Sequence, residues 1–82
     1  MDRVTLSDEI ISRMDAAGLS NTQRRIGSCL IQGMTNAEIS ATLNYRISWV
    51  RECVTEMLSK TGATNRTQLA LYLTGHMVMD DE

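Results

Sequence analysis

The sequence predicts an all-α fold in a single small domain. Three observations carry this. Pro and Phe are absent, and Leu, Ile, Met and Ala dominate a chain of 82 residues that is 43% hydrophobic. Such a composition favours helices over strands. Apolar residues recur at helical spacing and nowhere alternate as in a strand. Pairs of a short polar residue and a Gln or Glu three positions later mark helix starts.

The elements follow in order. Ser7 precedes "DEIISRMDAAG", with Asp8 and Glu9 in the first turn and Gly18 beyond the end, predicting a helix over 8–17 with Ile10, Ile11 and Met14 inward. Ser20 and Gln23 form a capping box before "RRIGSCLIQG". Ile26, Cys29 and Leu30 are the buried stripe of that 20–33 helix, and Gly33 stops it as a left-handed residue. Gly27, inside it, costs about 1 kcal/mol against Ala, which a close approach by another helix would explain. Thr35 and Glu38 form a second box, opening a short helix with Ala37, Ile39 and Leu43 inward.

After "NYR", a longer helix over 46–60 buries Val50, Val54, Met57 and Leu58 and turns Arg51, Glu52, Thr55, Glu56 and Ser59 outward. Gly62 ends it. Asn65 and Gln68 read as a third box before "LALYLTGHMVM", whose apolar residues run almost all the way round. One face serves the core, with Leu69, Ala70, Leu73 and Met77. The opposite face needs a cover, most simply a second copy of the same helix.

Charge is uneven. The net charge is −2, but residues 1–18 carry −2, residues 79–82 carry −3, and residues 19–78 carry six basic residues against three glutamates. The mildly basic body permits phosphate binding without demanding it. Cys29 and Cys53 lack CxxC spacing and read as free thiols. A single histidine, His76, leaves a zinc site short of ligands. No apolar run reaches the roughly 18 residues of a membrane span. No nucleophile has a base at readable spacing and no glycine loop cradles phosphate, so catalysis and cofactors are not expected.

The stretches "LSNTQRR", "GMTNAEISATL", "VRECVTEMLSKTG" and "NRTQLALY" occur in order and without gaps. Together they resemble the LuxR/GerE-type helix-turn-helix domain of bacterial transcription regulators. The resemblance implies a tetrahelical domain over 19–79, preceded by a helical extension (1–18) and followed by an acidic tail (80–82). About eighteen residues ahead of the domain leave no room for a sensor or receiver, implying a stand-alone, cytoplasmic, nucleoid-associated effector.

The resemblance further implies double-stranded DNA as partner, read in the major groove by the 46–60 helix. Thr35, Asn36, Arg46, Ser48, Trp49, Arg51, Glu52 and Thr55 are the DNA-contacting candidates, with Arg24, Arg25 and Lys60 on phosphates. Family members dimerise through the last helix, which points to Leu71, Gly75 and Val78. Arg66 is assigned a structural role, pairing with a carboxylate or a helix end.

The chain also departs from the family pattern. Arg46 stands where a Ser or Thr usually caps the recognition helix, and Asn44 is the substitute if that helix starts earlier. Trp49 replaces a backbone-contacting Thr. Three readings of Trp49 stay open: contact with a sugar or thymine methyl, an anchor for a protein partner, or packing back on Tyr45. Glu52 and Glu56 repel phosphates unless Glu52 accepts from a cytosine amine. These departures sustain a second functional reading: a protein-binding modulator on the same fold that engages another regulator or RNA polymerase.

Overall fold

The computed structural model describes residues 7–75, and within them it is entirely helical. The helices are α1 (Asp8–Ala16), α2 (Asn21–Leu30), α3 (Asn36–Leu43), α4 (Ile47–Thr61) and α5 (Arg66–Thr74).

Local capping chemistry starts four of them. Ser7 Oγ accepts from the Ile10 amide. Ser20 with Gln23, and Thr35 with Glu38, make both halves of their boxes. Asn65 Oδ1 accepts from the Gln68 amide at 2.8 Å. The third box is half made, however: Gln68 Oε1 reaches past Asn65 to the Thr64 amide, 2.8 Å away.

Other boundaries also differ from expectation. α2 ends at Leu30 rather than Gly33; the chain tightens through Gln32 N–H to Cys29 O and Gly33 N–H to Leu30 O before Gly33 turns left-handed at φ +85°. α5 stops at Thr74 instead of running on to Met79. Gly75 adopts φ +81°, and its N–H closes the helix on the Leu71 and Tyr72 carbonyls. Met77 and Val78, expected on that helix, lie outside the described residues. Ala37, expected to be buried, is exposed, leaving Ile39 as the buried residue of α3.

The core gathers Met14, Ile26, Ile39, Val50, Met57, Leu69 and Leu73, each at most 1% exposed. α4 packs against α2, α3 and α5, and α1 lies across α5. Gly27 is the point of closest approach. A Cβ built there would meet Met14 Cε at 3.1 Å, Leu73 Cδ1 at 3.3 Å and Met57 Cε at 3.5 Å. Three helices therefore converge on the missing side chain, which accounts for a glycine inside α2. The N-terminal helix is part of this core through Met14.

Candidate nucleic-acid interface

The α3–α4 joint sets the geometry. It contains neither Gly nor Pro, and Asn44 supplies the left-handed turn at φ +62°. Asn tolerates this region better than other non-glycine residues, since its short amide can bond locally. Asn44 is thus the C-terminal cap of α3 and not a cap for α4. Ser40 Oγ donates to the Tyr45 carbonyl and the Tyr45 amide donates to Ser40 O, fixing the angle at which α4 leaves.

α4 begins with Arg46 as an uncapped N-terminal residue. The Ile47, Ser48 and Trp49 amides have no hydrogen-bond partner in the fold, whereas each of the other four helices has its third amide held by a capping side chain. Along the 15 residues of α4, roughly 22 Å at 1.5 Å per residue, Val50, Cys53, Val54 and Met57 face the core. Arg46, Ser48, Arg51, Glu52, Thr55, Glu56 and Ser59 are exposed. Trp49 is 46% exposed and lies outside the buried core. Ile47, at 37%, joins it as an exposed apolar residue at the same helix end. Sequence periodicity gave no reason to single out Ile47, because an Ile at a helix start fits either face.

The basic residues divide into two groups. Arg13 pairs with Glu9, and Arg24 with Asp15 as well as the Leu19 carbonyl. Lys60 Nζ donates to Gly18 O and to Gln23 Oε1, both at 2.9 Å, so it joins the α1–α2 turn to α4 instead of standing free for a phosphate. Arg66 donates to Met34 O at 2.5 Å and Asn36 Oδ1 at 2.6 Å, bridging α5 to the start of α3. Burial lowers its pKa, yet a guanidinium so far above neutrality stays charged. This is the structural pairing expected of Arg66, and it engages the Asn36 amide oxygen. Arg25, Arg46 and Arg51 form the second group. Among the described residues none of them has a carboxylate partner; Arg25 donates only to the Tyr45 hydroxyl, at 3.3 Å. These three cations sit on α2, at the joint and on α4.

Glu56 accepts from Gln23 Nε2 at 2.8 Å and is drawn toward α2. Thr35 is exposed with its hydroxyl engaged in the α3 cap. Burial raises the Cys53 thiol pKa, and the Glu56 and Glu52 carboxylates raise it further, so the thiol stays protonated and unreactive. Among the described residues no group of His, Cys, Asp or Glu could hold a metal ion, and no helix is long and apolar enough to cross a membrane.

A short helix braced under a longer one, joined by a left-handed turn, is the helix-turn-helix arrangement. The profile of the family described as "Bacterial regulatory proteins, luxR family" matches residues 17–73. The chain belongs to this luxR family. Members are non-enzymatic, DNA-binding helix-turn-helix regulators, so the chain is not an enzyme. The "Probable transcriptional regulator ycf29" of Pyropia yezoensis is 33% identical over 64 residues, covering 78% of this chain and 29% of that protein. The chain therefore spans less than a third of the length of this relative. No solved structure matches it. Within the luxR-family domain, α3 and α4 are the two helices of the helix-turn-helix.

Proposed function

We propose that the chain is a transcription regulator that binds double-stranded DNA with α4 in the major groove and pairs with a second copy through α5. The observation that carries this reading is the set of three guanidiniums, Arg25, Arg46 and Arg51, left without carboxylate partners around the exposed start of α4. The other described arginines, Arg13, Arg24 and Arg66, are neutralised or bonded internally. Unpaired guanidiniums beside uncapped helix amides suit phosphate oxygens. Arg46 and the Ser48 amide then hold the backbone at the groove edge, with Arg25 on a flanking phosphate. Thr35 and Asn36, at the start of α3, approach the opposite strand. Ser48, Trp49, Arg51, Glu52 and Thr55 line the surface that meets base edges and sugars. Arg24 and Lys60 have internal partners and are left out of the contact set.

For the dimer, Leu71 is the anchor, a large apolar residue of α5 that is 39% exposed. Gly75 is less suited to close approach by a second copy, because the Arg13 guanidinium lies over it, 3.0 Å from where a Cβ would stand. Two copies related by a two-fold axis would present their α4 helices to an inverted repeat. A nucleoid-associated location follows from this reading.

A mobility-shift titration against salt tests it. Binding must weaken with a log–log slope of about −0.9 per phosphate neutralised, and the two guanidiniums per protomer assigned to phosphates, Arg25 and Arg46, predict a slope of roughly −4 for a dimer by that rule. The second reading, a modulator that binds another regulator, is favoured by Trp49, a large exposed anchor of the kind enriched in protein interfaces. It wins if no duplex is held at low salt while Trp49→Ala disrupts a complex with another protein.

A further inference from the structure

Five of the six described carboxylates lie at Asp8, Glu9, Asp15, Glu38 and Glu56; of these, the two in α2–α5 are both engaged. Glu38 accepts from the Thr35 amide at 2.8 Å and Glu56 from Gln23 Nε2 at 2.8 Å. The sixth, Glu52, is exposed and has neither a hydrogen bond nor an ion pair. Its neighbour Arg51 does not neutralise it, because adjacent residues on a helix point about 100° apart and do not face each other. With Arg51, Thr55, Glu56 and Ser59 it lines a shallow, open concavity of about 460 Å³ on the outer side of α4.

We infer that Glu52 is a specificity-determining residue that selects cytosine at one position of each half-site; the inference rests on the DNA-binding reading above. A carboxylate carried into a groove walled by phosphates loses water and gains repulsion unless it meets a donor. In the major groove the donors are the cytosine N4 and adenine N6 amines. Adenine places its N7 acceptor beside the amine, where it opposes the second carboxylate oxygen. Cytosine offers the amine with no acceptor of its own in the groove, so cytosine is the better fit. The guanine paired with it, or the one on the adjacent step, presents O6 and N7, which suit the unpaired guanidinium of Arg51.

Glu56, one turn further along, does not compete. The Gln23 amide that holds it is 3% exposed, and its orientation is fixed because Oε1 also accepts from the Ser20 amide and Lys60 Nζ. The fold thus engages one carboxylate on the exposed side of α4 and leaves the other free.

The test selects binding sites from random duplexes with the full chain, as wild type, Glu52→Ala and Glu52→Gln, after circular dichroism shows equal helicity. Wild type is expected to retain cytosine at one position per half-site, with roughly tenfold weaker binding when thymine replaces it. Glu52→Ala should lose that preference and keep all others. Glu52→Gln should move it toward adenine, whose N6 and N7 suit an amide. Uniformly tighter binding by Glu52→Ala with every preference intact would overturn the inference and leave the DNA-binding reading standing. A wild type that holds no duplex at low salt would overturn both.

Discussion

Replacing Gln23 with Met keeps the volume and flexibility of the side chain and removes its polar end. Three interactions go with it: acceptance from the Ser20 amide at 2.9 Å, acceptance from Lys60 Nζ at 2.9 Å, and donation to Glu56 Oε1 at 2.8 Å. A typical internal hydrogen bond contributes about 1 kcal/mol net. Lys60 and Glu56 are exposed and regain water when released, so their bonds count at the low end of that range. The Ser20 amide opens α2 and loses half of its capping box, costing about 1 kcal/mol. Together the loss is about 2–3 kcal/mol, against a total stability of roughly 4–12 kcal/mol for a domain of this length. Urea unfolding followed at 222 nm measures it, and the thermal midpoint should fall by roughly 10–20 °C. Gln23→Glu adds a second arm. It retains the acceptor for Ser20 and Lys60 but sets a carboxylate against Glu56, and Glu56→Gln in that background should restore most of the loss. A shift below about 0.5 kcal/mol for Gln23→Met, within the range of ordinary surface substitutions, would refute the account of Gln23 as a bridge between the α1–α2 turn and α4.

Asn44→Ala, forced to φ +62°, should destabilise by about 1 kcal/mol while Asn44→Gly is neutral or better, as read from urea midpoints. Arg66→Met removes the bonds to Met34 O and Asn36 Oδ1 and should cost about 2 kcal/mol in the same assay, because the half-buried carbonyl it serves is left without a donor. Trp49→Ala should alter stability by under about 1 kcal/mol, since the ring is 46% exposed, so any larger effect of that substitution on a complex is an effect on binding. Both thiols have pKa values raised above the ordinary 9.0 by burial. A raised folded-state value contributes stability that is complete below the unfolded pKa and fades as pH climbs through the folded one. Wild type should therefore lose stability above about pH 9 more steeply than Cys53→Ala, in urea midpoints measured from pH 7 to 10.

Chemistry confined to one turn of chain was readable in advance. Ser7, Ser20, Thr35 and Asn65 start helices because each oxygen needs only an amide three residues on. The outward set Arg51, Glu52, Thr55, Glu56 and Ser59 followed from period alone. What escaped were choices made between distant segments. Nothing near Lys60 indicates that Gly18 O and Gln23 will claim its ammonium across 42 and 37 positions of sequence. The apolar run after Leu69 resembles a longer helix than the nine residues of α5, because a glycine is compatible with a helix interior and only the backbone shows Gly75 turning left-handed at φ +81°. For the interface, the residues on the face could be named, but their state of pairing, which separates Arg51 from Arg24 and Glu52 from Glu56, depends on tertiary neighbours.

The hydrogen atom that stands for a side chain at Gly27 also determines where the molecule can be cut or joined. Met14 closes the space above it, so a fragment trimmed to begin at Leu19 would open a hollow between the ends of Leu73 and Met57 and wet the floor beneath α4. A tether, tag or upstream module should therefore attach ahead of Ser7, with α1 kept whole as the lid of the barrel of side chains that α4 rests on.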